Sequence, residues 1–230
     1  MLYYIVLFLI ISFVITAASV FPLSAEPQYW YEFPLIPGLE NKARIIFYHV
    51  PAAWISVIAF FMSMYYGIKY LKDGKMQDDL KSESALQLGL IFCIMAAVTG
   101  SIWAKFSWGE FWHWDPRETS IFILMLIYGA LLVLRAAVDD LEKRGRLSAV
   151  YSIIAFLTVP FFVFIMPRIM IGLHPGSADD TTTGPVVDFK MNWNMQAVFY
   201  LALTGFTLLY YKMWNLNYRI NLLKYQKGIE

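Results

Sequence analysis

Three histidines are the residues of this chain best suited to bind a metal ion or an iron porphyrin. His49 lies in the segment FYHVPAAW, His113 in a tryptophan-rich stretch, and His174 in the segment IGLHPG, whose Pro-Gly marks a loop. Two neutral imidazoles from separate segments can serve as the axial ligands of a six-coordinate haem iron, and imidazole is also a common zinc ligand. The residue types therefore indicate a metal or haem site built from His49 and His174.

A zinc site and two structural roles are alternatives for these histidines. Zinc takes three or four protein ligands, which His113, Glu110 and Asp115 could complete. His49 could instead be hydrogen-bonded between helices, and His174 could be an exposed loop residue. The single cysteine of the chain lies in an apolar run and is best explained as a small core residue; one cysteine excludes an intrachain disulfide and multi-cysteine metal sites.

The tryptophan-rich stretch holds four of the 8 tryptophans of the chain, at positions 103, 108, 112 and 114. A membrane-interface belt accounts for one or two tryptophans at a boundary but poorly for four. A flat apolar macrocycle, in contrast, needs aromatic surfaces to lie on. The spacing of Trp108, Trp112 and, less closely, Trp114 predicts that they partly share one side of a short helix.

Polar residues follow these tryptophans directly. Arg117 can pair with a carboxylate as a bidentate donor, as a haem propionate requires. We expect Asp115 to orient the loop through backbone or arginine contacts, or to cap the next helix. Glu118 and Thr119 are competing caps for that helix.

The elements that position these residues are predicted to lie in a membrane. Of the 230 residues, 59% are hydrophobic and 15% charged, with a mean hydropathy of +0.55; soluble domains have about 45–50% apolar and about 25% charged residues. The net charge of +1 argues against a nucleic-acid partner. Six stretches reach the roughly 20 apolar residues that a spanning helix needs. They predict an all-α six-helix bundle that forms a single domain, 1–230. The predicted helices are 2–21, 45–68, 85–102, 119–138, 147–167 and 193–211.

The first stretch has a second interpretation, as a cleaved signal peptide. A possible cleavage site, Ser24-Ala25, precedes Glu26. The stretch lacks the positively charged start of such a peptide, so we expect a retained helix.

The distribution of Lys and Arg predicts the orientation of the bundle. Positive residues mark the cytoplasmic side, so the predicted loops 69–84 and 135–146 and both termini are expected there. The segments 22–44, 103–118 and 168–192 then face outward, and all three histidines lie on that side of the membrane. We expect 103–118 to form short interfacial helices. Twelve of the 18 basic residues support this orientation: Lys69, Lys72, Lys75, Lys81, Arg135, Lys143, Arg144, Arg146, Lys212, Arg219, Lys224 and Lys227.

His49 is expected to face the bundle near its outer mouth. Small residues follow it on roughly the same helical face, and such residues let membrane helices approach closely. They are Ala52, Ser56, Ala59 and Ser63.

The segment WGEFWHWDPRET, from Trp108 to Thr119, resembles the tryptophan-rich WWD signature of haem-handling proteins in cytochrome c biogenesis. The histidines of HVPAAW and LHPG match the two outward histidines that flank this signature. Size, six helices and HVPAAW together most resemble the CcmC family of the system I maturation pathway. Two features depart from that family: the ending DPRET is closer to the haem lyases CcsA and CcmF, and position 113 is a histidine.

The resemblance implies a protein that holds haem b in the outer leaflet and loads it onto the periplasmic haem chaperone CcmE. It implies a bacterial inner-membrane location and two further partners, the small membrane protein CcmD and the ABC transporter CcmAB. By position, His49 and His174 would be the axial ligands. The remaining haem-binding residues would be Trp108, Gly109, Trp112, Trp114, Asp115 and Arg117, with Lys105 and Arg168 as further candidates for the propionates.

Three other functions are alternatives to haem delivery. A divergent CcsA- or CcmF-type haem lyase is the main alternative, but lyases are larger and carry additional histidines within the membrane. An electron-transfer b-type cytochrome would hold haem permanently between helices, whereas His174 lies in a loop suited to release. Transport through this chain would need polar residues at mid-membrane. No Ser/His/Asp arrangement or phosphate-binding glycine loop is evident, so we expect no enzyme.

Overall fold

Long helices form most of this chain in a computed structural model that describes residues 1–174 and 191–228. Two-residue parallel strands, β1 (Leu23–Ser24) and β2 (Phe33–Pro34), and a 3₁₀ helix, Glu40–Phe47, separate the first two helices. The helices are α1 (Leu2–Val20), α2 (His49–Asp73), α3 (Met76–Trp108), α4 (Pro116–Ala136), α5 (Leu141–Pro160), α6 (Met166–Ile169) and α7 (Trp193–Lys227). A π-helical turn, Phe161–Ile165, joins α5 to α6.

Five helical segments of the described chain are long and apolar enough to cross a membrane. They are Leu2–Val20, Glu40–Asp73, Met76–Trp108, Pro116–Ala136 and Leu141–Ile169. The chain is therefore a multi-pass membrane protein, which confirms the predicted helical membrane class. The predicted loop features Pro175 and Gly176 and the basic residue Lys190 lie outside the described residues.

α3 and α7 are much longer than the predicted apolar stretches 85–102 and 193–211. α2 and α3 are joined by Gly74 and Lys75 alone, within the segment 69–84 that was predicted as a loop. Gly74 ends α2 in the left-handed conformation, with φ 65°. α7 likewise continues past position 211 to Lys227. Hydropathy detects only the lipid-solvated part of a helix, whereas Lys, Gln and Glu are good helix formers that extend it into water.

α2 lies at the centre of the bundle because small residues allow close approach on several sides. A Cβ on Gly89 of α3 would lie 2.8 Å from the Phe60 ring of α2, and one on Gly67 of α2 would lie 2.7 Å from Ser152 Oγ of α5. Phe60 also stacks on Tyr128 of α4, with ring centroids 3.5 Å apart. All four residues of the predicted small-residue stripe are buried: Ala52, Ser56, Ala59 and Ser63.

A buried ion pair joins α3 and α4 at one end of the bundle, which we call the arginine end. Arg135 donates to both carboxylate oxygens of Asp79, at 2.7 and 2.9 Å, and also contacts Glu83 at 3.1 Å. Polar side chains attach α7 to α3 at the same end: Asn217 Nδ2 donates to Gln87 Oε1 at 2.7 Å. The pairing of charges with fixed hydrogen bonds makes their burial tolerable.

The opposite end, which we call the histidine end, is held by Arg44 of the 3₁₀ helix. Its guanidinium donates to the carbonyl oxygens of Ala18 and Phe21, both at 2.7 Å. These contacts satisfy carbonyls that the C-terminus of α1 leaves without partners. The 3₁₀ helix leads into α2 through a break at Tyr48, so His49 is the first residue of α2.

Candidate functional site

His49 lies against α3 at the start of α2. Its Nδ1 is 2.9 Å from the carbonyl oxygen of Ala96 and 3.1 Å from Thr99 Oγ1. Because a carbonyl can only accept, Nδ1 carries the proton and Nε2 carries the lone pair of the neutral ring. A Cβ on Gly100 would lie 2.8 Å from His49 Cε1, so only glycine leaves room for the ring here.

His174 lies between the end of α3 and the start of α4. Its Nδ1 is 2.7 Å from Asp115 Oδ1, which again places a proton on Nδ1; in the neutral ring the lone pair is then on Nε2. The imidazole is edge-on to Trp108, with centroids 4.7 Å apart, and 5.9 Å from Trp103. His174, the predicted iron ligand from the last loop, is therefore held in place by the tryptophan-rich segment.

Asp115 is the N-cap of α4, as predicted. Its Oδ1 accepts from the Arg117 backbone N–H at 2.9 Å, and Glu118 completes a capping box by accepting from the backbone of Asp115. Thr119 is not the cap, since its hydroxyl donates to the Trp114 carbonyl oxygen.

The Asp115 carboxylate also fixes the chain around His174. Its Oδ2 accepts from the Leu173 backbone N–H at 2.6 Å. Burial alone would raise the pKa of Asp115, but the hydrogen bonds from His174, Arg117 and Leu173 outweigh it and lower the pKa to about 2. Asp115 is therefore ionised at neutral pH.

Two backbone features allow this tight arrangement. A Cβ on Gly172 would lie 2.6 Å from Asp115 Oδ2, so glycine is required for the close approach. Trp114 has φ 57°, a left-handed conformation that is costly for a residue with a side chain. Such strain is typical of functional segments held by their surroundings.

The tryptophans form two groups, which differs from the single aromatic surface predicted for Trp108, Trp112 and Trp114. α3 remains helical to Trp108 and ends at Gly109, whose φ is 94°. Because Gly109 stops the helix, the helical spacing that relates 108 to 112 does not apply, and 109–115 forms no interfacial helices. Trp112 and Trp114 pack on Phe122 of α4, at centroid distances of 6.3 and 5.8 Å.

Two guanidiniums interact electrostatically with the site. Arg117 acts on His49, and Arg168 of α6 acts on Arg117. Arg117 therefore lies near the His49 imidazole and Arg168 near Arg117, which gives the positive charge that a ligand with carboxylates would need. Lys105, the other predicted propionate partner, donates to the Gly109 carbonyl oxygen at 2.8 Å and so caps α3.

Sequence reasoning missed Ala96 and Gly100, the part of α3 that supports His49. With Trp103, which was noted only as one of the clustered tryptophans, they contact the two histidines. Their spacing of four and three residues places all three on one helical face. That spacing was the available signal. Trp103 also lines a groove of about 380 Å³ with Arg44 and Tyr48.

The zinc alternative has no support among the described residues. No group of three or more His, Cys, Asp or Glu side chains is gathered there to hold a metal ion. His113 lies edge-on to Trp108 at 5.7 Å, and its buried Nδ1 has no hydrogen-bond partner within the described part of the chain.

The fold and the site define a multi-pass helical membrane protein with two imidazoles at one end of the bundle. The chain belongs to the CcmC family, heme exporter protein C, whose model matches residues 6–228. The family predicted from the sequence is confirmed.

Curated relatives carry the same description. Heme exporter protein C of Escherichia coli K12 is 32% identical over 178 residues, which cover 76% of this chain and 71% of that protein. The Paracoccus denitrificans protein is 29% identical, over 73% of this chain and 68% of its own length. The Bradyrhizobium diazoefficiens protein is 34% identical over 53% of this chain, and the match spans just under half, 46%, of that relative.

Proposed function

We propose that this chain binds haem b at the periplasmic face of the bacterial inner membrane and presents it for loading onto the haem chaperone CcmE in cytochrome c maturation. CcmD and the ABC transporter CcmAB are the proposed partners. The observation that carries the proposal is the tautomer of the two histidines. His49 and His174 each donate from Nδ1 to an acceptor of the protein, so the neutral rings carry their lone pair on Nε2.

The other contacts of the site suit an iron porphyrin better than a bare metal ion. Two neutral imidazoles satisfy the axial positions of haem iron but leave a zinc ion incomplete. Trp103 and Trp108 supply aromatic surface beside His174. Arg117 and Arg168 supply positive charge for the propionates, and the bidentate geometry of guanidinium suits carboxylates.

Delivery, not catalysis, fits the role of Asp115. This carboxylate is engaged by the Arg117 and Leu173 backbones and the His174 ring, so it orients a ligand and is poorly placed to carry protons to a substrate. The chain would then promote covalent attachment of haem to its partner by positioning alone.

We further propose six spanning helices with both termini in the cytoplasm. α1 has 19 residues, a length of about 28 Å at roughly 1.5 Å per residue, close to the thickness of about 30 Å of the hydrocarbon core. The Tyr3 hydroxyl donates to the Leu208 carbonyl oxygen and Lys212 lies over the Tyr4 ring. A Cβ on Gly205 would also lie 2.9 Å from Ile10. α1 and α7 therefore pack side by side, and α7 would be the sixth span.

The test is the haem content and visible spectrum of the detergent-purified protein, with His49→Ala, His174→Ala and, as the matched control, His113→Ala. We expect low-spin b-type haem near one per chain in the wild type and in His113→Ala. Either ligand variant should lose haem or give a high-spin spectrum. A wild-type spectrum in both ligand variants would exclude this pair, and absence of haem from all samples co-expressed with the partners would contradict haem binding.

A further inference from the structure

The two proposed axial histidines differ in the group that accepts their Nδ1 proton. We infer that Asp115 is a positioning residue that makes His174 a stronger electron donor to iron than His49, so that this chain stabilises ferric haem over ferrous haem. The inference rests on the proposed function and concerns the redox state in which the haem is held.

The contrast is visible in the hydrogen bonds of the two rings. His49 donates to the neutral carbonyl of Ala96, at 2.9 Å. His174 donates to the Asp115 carboxylate at 2.7 Å, and the carboxylate side chain is 1% exposed. Hydrogen bonds to a charged acceptor are roughly twice as strong as neutral ones, and burial limits screening by water.

A strong acceptor behind a ligating histidine increases the basicity of the ring and fixes its orientation. Hydrogen bonding around the ligands is one of the means by which a protein sets the reduction potential of a haem. A more basic imidazole donates more charge to iron, which favours Fe(III) and lowers the potential of the one-electron Fe(III)/Fe(II) couple. Asp115 is therefore expected to lower that potential through His174.

The carboxylate is held so that it cannot turn away from the ring. Its Oδ1 also accepts from the Arg117 backbone and its Oδ2 from the Leu173 backbone. Gly172 is packed against Oδ2, where a Cβ would lie at 2.6 Å. These contacts fix Asp115, and a fixed Asp115 holds the His174 ring in a precise geometry.

The test is a potentiometric titration of the full-length, haem-loaded protein in detergent, with redox mediators and with electron paramagnetic resonance of the ferric form. Asp115→Asn retains an amide oxygen that can accept from His174 Nδ1 and removes the charge. Glu118→Gln is the matched control, because it removes a carboxylate charge from the same turn but keeps a side-chain oxygen that can accept from the Asp115 backbone, and so leaves the cap in place.

We expect Asp115→Asn to keep its haem, to show a higher midpoint potential and to shift the low-spin g-values. Glu118→Gln should stay close to the wild type in both measurements. An unchanged potential in haem-loaded Asp115→Asn, or an equal rise in the control, would refute the inference.

If Asp115→Asn loses its haem, its potential cannot be measured, and a second variant tests the inference. Gly172→Ala pushes on Asp115 Oδ2 while keeping the carboxylate, so its potential should also rise. A wild-type potential in Gly172→Ala would then overturn the inference. Failure of the proposed function is a different result, since the wild-type chain itself would carry no haem.

Discussion

The position of the His49 ring depends on the absence of a side chain at Gly100 of α3. A Cβ at position 100 would lie 2.8 Å from His49 Cε1 and 3.4 Å from Nδ1. Gly100→Ala should therefore displace the ring from Ala96, at an overpacking cost of about 1–3 kcal/mol. We expect haem retention to weaken by about tenfold, since roughly 1.4 kcal/mol corresponds to a factor of ten. The measurement is the haem-to-protein ratio during dilution in detergent.

Gly129→Ala in α4 is the control for that substitution, because no atom lies within 4 Å of the added Cβ. Alanine is the better helix former by about 1 kcal/mol, so this variant should keep its haem and be at least as stable as the wild type. Equal haem retention in the two glycine variants would show that Gly100 does not position His49.

Asp115 gives a pH dependence of stability with a defined sign. Its pKa is lowered from 3.8 to about 2 in the folded chain. A lowered pKa stabilises the fold above the unfolded value, and this contribution is lost as the pH falls through the folded value. The difference in thermal unfolding midpoint between wild type and Asp115→Asn should be constant from neutral pH to about 5 and should shrink between 3.8 and about 2. A difference that already shrinks near neutral pH would contradict this assignment.

Individual residues of the site were predictable where their chemistry is distinctive. His49, His174 and Asp115 stand out by type and by neighbours, and the sequence offered Asp115 as one of three candidate caps, of which the structure selects it. The hydrogen bond between Asp115 and His174 was not predictable, because it joins positions 59 apart through the fold. The close approach of Gly100 was missed for the same reason.

Among the elements, α3 and α4 are joined at the arginine end by Arg135, which pairs with the buried Asp79 and also contacts Glu83. Arg135→Leu would leave the Asp79 carboxylate buried without its guanidinium, which costs about 3–5 kcal/mol. The double variant Asp79→Leu/Arg135→Leu removes both charges and should recover much of that loss. Chemical unfolding in mixed micelles would measure both. A double variant as unstable as the single one would show that the two residues do not act as a pair.

The proposed haem site should be insensitive to this change, because Arg135 lies at the opposite end of α4 from Asp115.

The sequence predicted the five stretches that the structure shows to be long and apolar enough to cross a membrane, because hydropathy is a local property. The true helix ends depend on capping and tertiary contacts, as Gly74 and Gly109 show. Hydropathy could reveal neither the extension of α7 to Lys227 nor the contact of Arg135 with Asp79.

At the scale of the whole molecule, the two ends of the bundle have different chemistry. The histidine end gathers imidazoles and tryptophans, whereas the arginine end carries the buried ion pair and basic helix ends such as Lys72 and Lys224. The excess of positive residues predicts that the arginine end faces the cytoplasm. The proposed delivery of haem outside the cytoplasm depends on this orientation.

Cysteine labelling in intact cells tests the orientation directly. Cys93 is buried and can be replaced by Ala to give a background without thiols. Exposed positions suited to single cysteines are Glu26, between α1 and α2, and Lys75, between α2 and α3.

A membrane-impermeant maleimide should label Glu26→Cys in intact cells and Lys75→Cys only after the inner membrane is opened. Gln226→Cys, near the end of α7, should behave like Lys75→Cys if α7 is a span. The reverse pattern would place His49 and His174 on the cytoplasmic side and exclude presentation of haem to a periplasmic chaperone, whereas labelling of Gln226→Cys in intact cells would remove α7 from the spans.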